Sequence, residues 1–309
     1  METKSIEVNS VQLKASADDL QLAVIYTLPQ TKPTGVLQLV HGMCEHKERY
    51  LPFMQFMSEN GWICVLHDHR GHGASIKSPE DLGYFYDGGY QAMINDVEVV
   101  TGWIRNTFPG IKISMLGHSM GSMVVRSFLK EHDQELEKLI VCGSPSYDPA
   151  SKMGILLTKF FIKKNGAKSR PALIQKISFN SFNKNFQKEG SPNAWVCSNK
   201  QIVEAYDKDP LCTYQFTANG FQNLFLLMQH AYGKEGWKLA KPSLPIHFIS
   251  GADDPCLTNH KKFAQAVQFL KKVGYQQVTS HLYPNMRHEI LNETDKALVW
   301  NDVLNFLNQ

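Results

Sequence analysis

IKISMLGHSMGSMVVRSFLKEH, residues 111–132, is the stretch on which the reading of the whole chain turns. Ile111–Leu116 reads as a buried strand and Gly121–His132 has helical spacing. Between them stands Gly117-His118-Ser119-Met120-Gly121, a Gly-x-Ser-x-Gly pattern. The bare pattern is weak, but its place between a strand and a helix is specific. Such a turn packs against neighbouring backbone, so it needs small residues on both sides of the serine, which it holds in a strained conformation. The helix N-terminus behind the serine favours developing negative charge. The alternative, a plain glycine-rich turn with an idle serine, does not call for this context.

Working outward, the chain alternates between strands and helices. Ser5–Lys14 and Leu20–Leu28 read as an antiparallel hairpin, and Gly35–Val40 and Trp62–Leu66 as buried strands flanking a helix at Tyr50–Asn60. Tyr90–Thr107 is amphipathic and stops at Pro109-Gly110, and Leu139–Gly143 is a fourth buried run. Alternation then ceases until about Leu244. It resumes with a strand at Pro245–Ser250, a helix at Thr258–Val273, a strand at Gln277–Tyr283 and a helix at Glu293–Leu307. Strands alternating with helices imply a parallel sheet, which carries its chemistry at the strands' carboxyl ends. The expected organisation is a core from 1–145 and 244–309, interrupted by a helical insertion at 146–243.

Composition narrows the class. The 309 residues are 43% apolar and 20% charged, ordinary for a globular protein, and the net charge of +3 points to no nucleic-acid partner. No apolar run reaches the length of a membrane span. The start, Met-Glu-Thr-Lys-Ser-Ile-Glu-Val, is acidic and lacks the apolar core of a secretory signal, so a cytoplasmic location is expected. The six cysteines are scattered without Cys-x-x-Cys spacing and read as reduced, mostly buried thiols. No cofactor and no metal site is expected. The histidine-rich turn at His67–His72 has poor spacing for metal ligands and no cysteine or acid cluster to complete a shell.

A serine hydroxyl needs a base, and the base needs an orienting partner. On a turn of this kind both follow later in the chain, acid before histidine. Asp253-Asp254-Pro255 follows one strand and His288 the next. Asp254 is preferred over Asp253 because the proline after it fixes the loop. His281 falls inside an alternating strand, so His288 is the candidate base. The oxyanion of acyl transfer is held by backbone N–H groups. Met120, following the serine, is one candidate donor, and Met43, in the loop after Val40, is the other. Gly42 lets that loop approach the serine.

These segments resemble a known family. Val40-His-Gly-Met-Cys-Glu-His-Lys-Glu-Arg-Tyr50, His67-Asp-His-Arg-Gly-His-Gly-Ala-Ser75, Gly117-His-Ser-Met-Gly121 and Gly251-Ala-Asp-Asp-Pro255 look like signatures of monoacylglycerol lipases and lysophospholipase-like serine hydrolases. The resemblance runs through nearly the whole chain in order and spacing. It implies the α/β-hydrolase fold, with a mostly parallel central sheet flanked by helices and an inserted helical cap, and Asp254 in the catalytic place. It also implies a structural turn held by Asp68 and Arg70, and loop-bracing roles for Glu45 and His46. One departure is Ser122, where the family often has glycine. Another is Cys44, read as a small buried side chain near enough to the site to confer sensitivity to bulky thiol reagents.

Residues 151–190 hold nine Lys or Arg and one acid among many apolar side chains. They read as a cap, apolar inside and basic outside, whose basic face suits anionic lipid or an anionic substrate. Phe221, Phe225 and Met228, at helical spacing, either line an acyl pocket or fill the cap's core. The expected reaction is cofactor-free hydrolysis of a small-molecule acyl ester, such as monoacylglycerol or a lysophospholipid, through an acyl-enzyme on Ser119. The alternatives are an aminopeptidase or amidase on the same triad, and a non-catalytic ligand-binding protein.

Overall fold

The computed structural model describes residues 7–309. Eight strands form one sheet: β1 (Val8–Lys14), β2 (Gln21–Thr27), β3 (Gly35–Val40), β4 (Trp62–His67), β5 (Ile113–His118), β6 (Leu139–Cys142), β7 (Ile246–Gly251) and β8 (Val278–Tyr283). Their spatial order is β1-β2-β4-β3-β5-β6-β7-β8. β1 and β2 pair antiparallel, β2 joins β4 antiparallel, and every pairing from β4 to β8 is parallel. The hairpin expectation holds, although Ser5 and Ile6 lie outside the described residues.

Every residue of β3, β4, β5 and β6 is buried. That is why they read as continuous apolar runs, for helices cover both faces of a parallel sheet. On one face lie α2 (Gly89–Thr107), α3 (Met120–His132) and α8 (His260–Val273); on the other lie α1 (Leu51–Glu59) and α9 (Lys296–Asn308). Successive strand residues serve opposite cores: Val36 and Val40 pack with α2 and α3, Leu37 and Leu39 with α1 and α9. The buried amide of Gln38 in β3 donates to the Val97 carbonyl at 3.1 Å and accepts from Thr101 Oγ1 at 2.8 Å.

The expected element order holds, and the differences are at the ends. β5 runs to His118, two residues beyond the apolar run, because Gly117 pairs with Val40 and His118 with Cys142. Strand pairing, not side-chain polarity, decides where it stops. α8 begins two residues late, behind Asn259, whose side chain accepts from the Lys262 N–H.

Between β6 and β7 the chain is helical: α4 (Ser151–Asn165), α5 (Ala172–Phe179), α6 (Lys200–Lys208) and α7 (Ala218–Ala231). α7 packs against α4 above and against α2 and α3 below. Among the described residues, no helix is long and apolar enough to cross a membrane.

The chain leaves β3 for β4 on one side and returns to β5 on the other, so the carboxyl ends of β3 and β5 face a crevice at the switch point. The turn after β4 is buried beneath it. Arg70 donates to Asp96 at 2.7 and 2.9 Å and to Asp18 at 3.0 Å, while Asp68 accepts from Lys47 Nζ at 2.7 Å and from the Ala74 N–H at 2.8 Å. Each of these charges therefore finds its ionic partner outside the turn. His41, His67, His69 and His72 are all fully buried beside them. The His69 N–H donates to His41 Nε2 at 2.9 Å, which fixes His41 as a neutral ring with its proton on Nδ1, facing the Gly42 carbonyl at 2.8 Å.

Burial lowers the pKa of His67 and of His72 to about 4. In the unfolded chain these rings titrate near 6.5, so between pH 6.5 and 4 unfolding takes up protons and stability falls as pH falls. Each ring is expected to add up to about 1.4 kcal/mol per pH unit to that slope. Urea unfolding at pH 7.5, 6, 5 and 4 checks this, and a His72→Gln chain should show a shallower decline.

Candidate active site

Ser119 lies between the last residue of β5 and the first of α3, with φ 53° and ψ −119°. A non-glycine residue avoids this conformation unless its surroundings impose it. Here the Ser119 N–H donates to the Cys142 carbonyl at 2.9 Å, and the Ser119 carbonyl accepts from Ser122 N–H at 3.0 Å and Ser122 Oγ at 2.5 Å. Ser122, the departure from the family pattern, therefore braces the turn. A Cβ on Gly117 would lie 2.6 Å from the Gly121 carbonyl oxygen, and one on Gly121 would strike the carbonyls of Val40 and His41. Both glycines are there because backbone passes where a side chain would stand.

The candidate acid and base come from the ends of β7 and β8. Asp254 follows β7 and caps the short turn Pro255–Leu257; its Oδ1 accepts from the Cys256 N–H at 2.8 Å and its Oδ2 from Ser250 Oγ at 3.0 Å. His288 follows β8. Its Nδ1 lies 2.9 Å from Asp254 Oδ2 and its Nε2 2.8 Å from Ser119 Oγ. With Nδ1–H donated to the carboxylate, Nε2 is left to accept from the serine hydroxyl. Asp253 is exposed and Asp254 buried, and His281 is exposed on β8. Gly251 has the main chain of Met286 and Arg287 against it, which presses the acid loop onto the base loop.

The loop after β3 completes the constellation. A Cβ on Gly42 would lie 2.8 Å from Ser119 Cβ and 2.6 Å from Glu45 Oε1. The Gly42 N–H donates to Glu45, whose Oε1 also faces Tyr50 Oη at 3.1 Å and His118 Nδ1 at 2.9 Å. Among the described residues, neither the Met43 nor the Met120 N–H has a protein acceptor.

Behind the triad lies a second, buried charge network. His118 Nδ1 faces the Glu45 carboxylate, and its Nε2 faces the His288 carbonyl at 3.2 Å. Two acceptors on one ring require two N–H groups, the imidazolium form. Burial opposes that charge, but the Glu45 carboxylate outweighs burial and raises the His118 pKa. Burial likewise works against ionised Glu45, and His118 and Arg49 together hold it below the usual carboxylate range. Arg49 donates to both oxygens of Glu289 at 2.5 and 2.6 Å and to Glu45 at 3.3 Å. The chain His118–Glu45–Arg49–Glu289 thus ties the Gly42 loop to the residues on either side of the His288 carbonyl.

The insert reaches over this edge. The Trp195 ring lies 5.2 Å from that of His288, the Glu289 N–H donates to the Val196 carbonyl at 2.8 Å, and Tyr206 Oη donates to the Cys44 carbonyl at 3.1 Å. Glu45 and His46 brace the loop as expected. Phe221 is fully buried in the main core, stacked on Phe225, while Phe225 packs against Gly154 of α4 and the Met228 sulfur accepts the Asp148 N–H at 3.4 Å. All three pack α7 against the core and α4, and Phe225 and Met228 are half-buried. All six cysteines are buried, and burial pushes the Cys44 thiol far up, which makes it a poor target for thiol reagents. Trp195, His118 and Glu289 were not singled out from sequence; for His118 the available signal was its position inside the Gly-x-Ser-x-Gly turn.

With strand–Ser119–helix, Asp254 and His288 meeting at one sheet edge, the comparisons with known proteins have a geometry to match. A family model described as serine aminopeptidase, S33, matches residues 31–295. The chain belongs to that family. It is 24% identical to a monoacylglycerol lipase of Mycolicibacterium smegmatis over 90% of either chain. It is 22% identical to the monoglyceride lipase of Rattus norvegicus over 95% of this chain and 87% of that one. Among solved structures it matches a thermostable carboxyl esterase from Bacillus coagulans with a TM-score of 0.90 and 25% identity, covering 98% of this chain and 99% of the other. A monoglyceride lipase of Saccharomyces cerevisiae shares the fold at a TM-score of 0.73 and 19% identity, covering 99% and 96%. The protein is a serine hydrolase with the α/β-hydrolase fold.

Replacing Gly42 by alanine should displace the loop from Ser119 while leaving the sheet intact. The expected result is a fall in kcat of about 10–100-fold, the usual cost of a misplacement near 1 Å. Steady-state kinetics alongside a thermal melt measure it.

Proposed function

We propose that this chain hydrolyses carboxylic esters with an apolar acyl chain through an acyl-enzyme on Ser119. The observation that carries the reading is the unbroken relay Ser119 Oγ, His288 Nε2, His288 Nδ1 and Asp254 Oδ2, with separations of 2.8 and 2.9 Å. In it His288 takes the hydroxyl proton as Ser119 attacks the carbonyl carbon, and Asp254 stabilises the imidazolium. The Met43 and Met120 N–H groups receive the oxyanion. His288 returns the proton to the leaving alcohol, and a water, activated in the same way, releases the acid.

An ester is favoured over an amide by the charge of the insert. An aminopeptidase must hold a free ammonium group, whereas residues 151–190 carry nine basic side chains and one acid. The names of the relatives point the same way, and monoacylglycerol or a lysophospholipid is the proposed substrate. Residues 146–243 act as a cap over the strand ends. Met153, Leu156 and Phe160 on α4 and Ile177 on α5 are exposed among lysines, a composition suited to an anionic lipid surface that presents such a substrate.

Ser119→Ala should lower turnover of simple aryl esters by at least about 10³-fold and abolish fluorophosphonate labelling. Retained turnover overturns the assignment. Side-by-side rates on acyl esters of increasing length and on aminoacyl arylamides should favour the esters; preference for the arylamides overturns the substrate class. Sedimentation with anionic and neutral vesicles should show binding to the anionic ones that falls for Phe160→Ser, and equal binding to both kinds rejects the docking face.

A further inference from the structure

The loop that carries Gly42 and Met43 also sends His46 toward the insert. His46 Nε2 lies 2.8 Å from Asp209 Oδ2, and His46 Nδ1 lies 2.6 Å from Glu48 Oε2. Asp209 ends α6, and a tight turn, with the Cys212 N–H donating to the Asp209 carbonyl at 3.0 Å, brings the Cys212 thiol to the same place. Asp209 Oδ1 accepts the Leu211 N–H at 2.8 Å, while Oδ2 faces His46. His46, Asp209 and Cys212 each offer one ligand atom, all within 4.8 Å of one another. Cys212 is buried, whereas the side chains of His46 and Asp209 are 10% and 28% exposed, so the cluster has a buried floor and an opening to solvent.

We propose that His46, Asp209 and Cys212 form a binding site for a zinc-type divalent cation, which pins the Gly42 loop to the insert. One imidazole, one carboxylate and one thiolate are the donor set of a borderline-soft tetrahedral ion, whereas magnesium and calcium call for shells of oxygen. Nitrogen and oxygen ligands of tetrahedral zinc, each about 2.0–2.1 Å from the metal, stand about 3.3 Å apart. The present 2.8 Å between His46 and Asp209 therefore needs only a small opening. Glu48 is an independent pointer. Imidazoles that bind metals characteristically donate their other N–H to a carboxylate, which turns the lone pair toward the ion, and Glu48 holds Nδ1 in that way. On capture the Cys212 thiol and His46 Nε2, whose N–H faces Asp209 in the empty site, each give a proton to solvent, and water takes the fourth position. A metal on the other such cluster among the described residues, Asp254, Cys256 and His288, would take His288 from Ser119 or from Asp254 and break the relay. The ligands come from segments 163 residues apart, which is why no sequence spacing announces them.

Cobalt tests this on the full chain after chelator treatment. Titration with Co²⁺ should give a thiolate-to-cobalt charge-transfer band in the near ultraviolet and the visible bands of a tetrahedral ion, saturating at one equivalent and displaced by Zn²⁺. Cys212→Ser should lose the charge-transfer band, and Cys256→Ser should keep it. Asp209→Asn, which preserves the turn's acceptor, should bind at least about tenfold more weakly, and Glu48→Gln about 10–100-fold more weakly. No charge-transfer band in the parent chain, its survival in Cys212→Ser, or its loss in Cys256→Ser overturns the proposal. The spectrum reads ligands alone, so this outcome is separate from whether Ser119 is the nucleophile.

Discussion

Ser119 keeps its unfavourable backbone angles only because main chain closes in on it from several sides. A positive φ at a residue with a side chain costs about 1–3 kcal/mol and persists where the surroundings leave no alternative. Those surroundings are β6, which takes the serine's N–H, the first turn of α3, which takes its carbonyl, and the Gly42 loop, whose backbone lies against its Cβ. The closest approaches depend on Gly42, Gly117 and Gly121, where a side chain would meet backbone or Ser119 itself. The parallel sheet fixes the rest, since β3 and β5 are hydrogen-bonded neighbours and their carboxyl ends must emerge side by side. Strain, crevice and the placing of Ser119 thus have one origin in the packing of backbone on backbone.

The polar network beneath the site performs a different task. The loops after β3 and β8 must hold their positions relative to one another without a rigid element joining them. The His118–Glu45 ion pair and the Arg49–Glu289 fork do this from below, and Trp195 and Val196 of the insert do it from above. Buried charges of this kind add little net stability, because desolvation offsets attraction. What they supply is a fixed arrangement, since losing one partner would leave the other charged and unpaired in the interior.

The order of elements along the chain and the meeting of Ser119, Asp254 and His288 were legible in the sequence because both rest on local rules. Apolar runs of β3 to β6 mark a sheet covered on both faces, and Gly-x-Ser-x-Gly marks a turn only when a strand and a helix flank it. Strand ends were less legible. β5 continues through Gly117 and His118, where the pairing partner and not the residue type sets the limit. Least legible were contacts made across the fold. Nothing in the spacing of Trp195 and His288, or of Arg49 and Glu289, brings them together before the insert and the sheet are in place. α7 illustrates the same limit, for a helix packed against α4 on one side and α2 and α3 on the other shows one apolar stripe for two purposes.

β6 and β7 are adjacent, parallel strands, yet about a hundred residues of chain separate them. The two ends of the insert therefore leave and re-enter the sheet at neighbouring points. A segment anchored in this way can change in length without shifting strand register, provided that Trp195, Val196 and Tyr206 keep their hold on the loops below. The architecture leaves the outer surface of the visor free to vary while the strand ends beneath it keep their spacing.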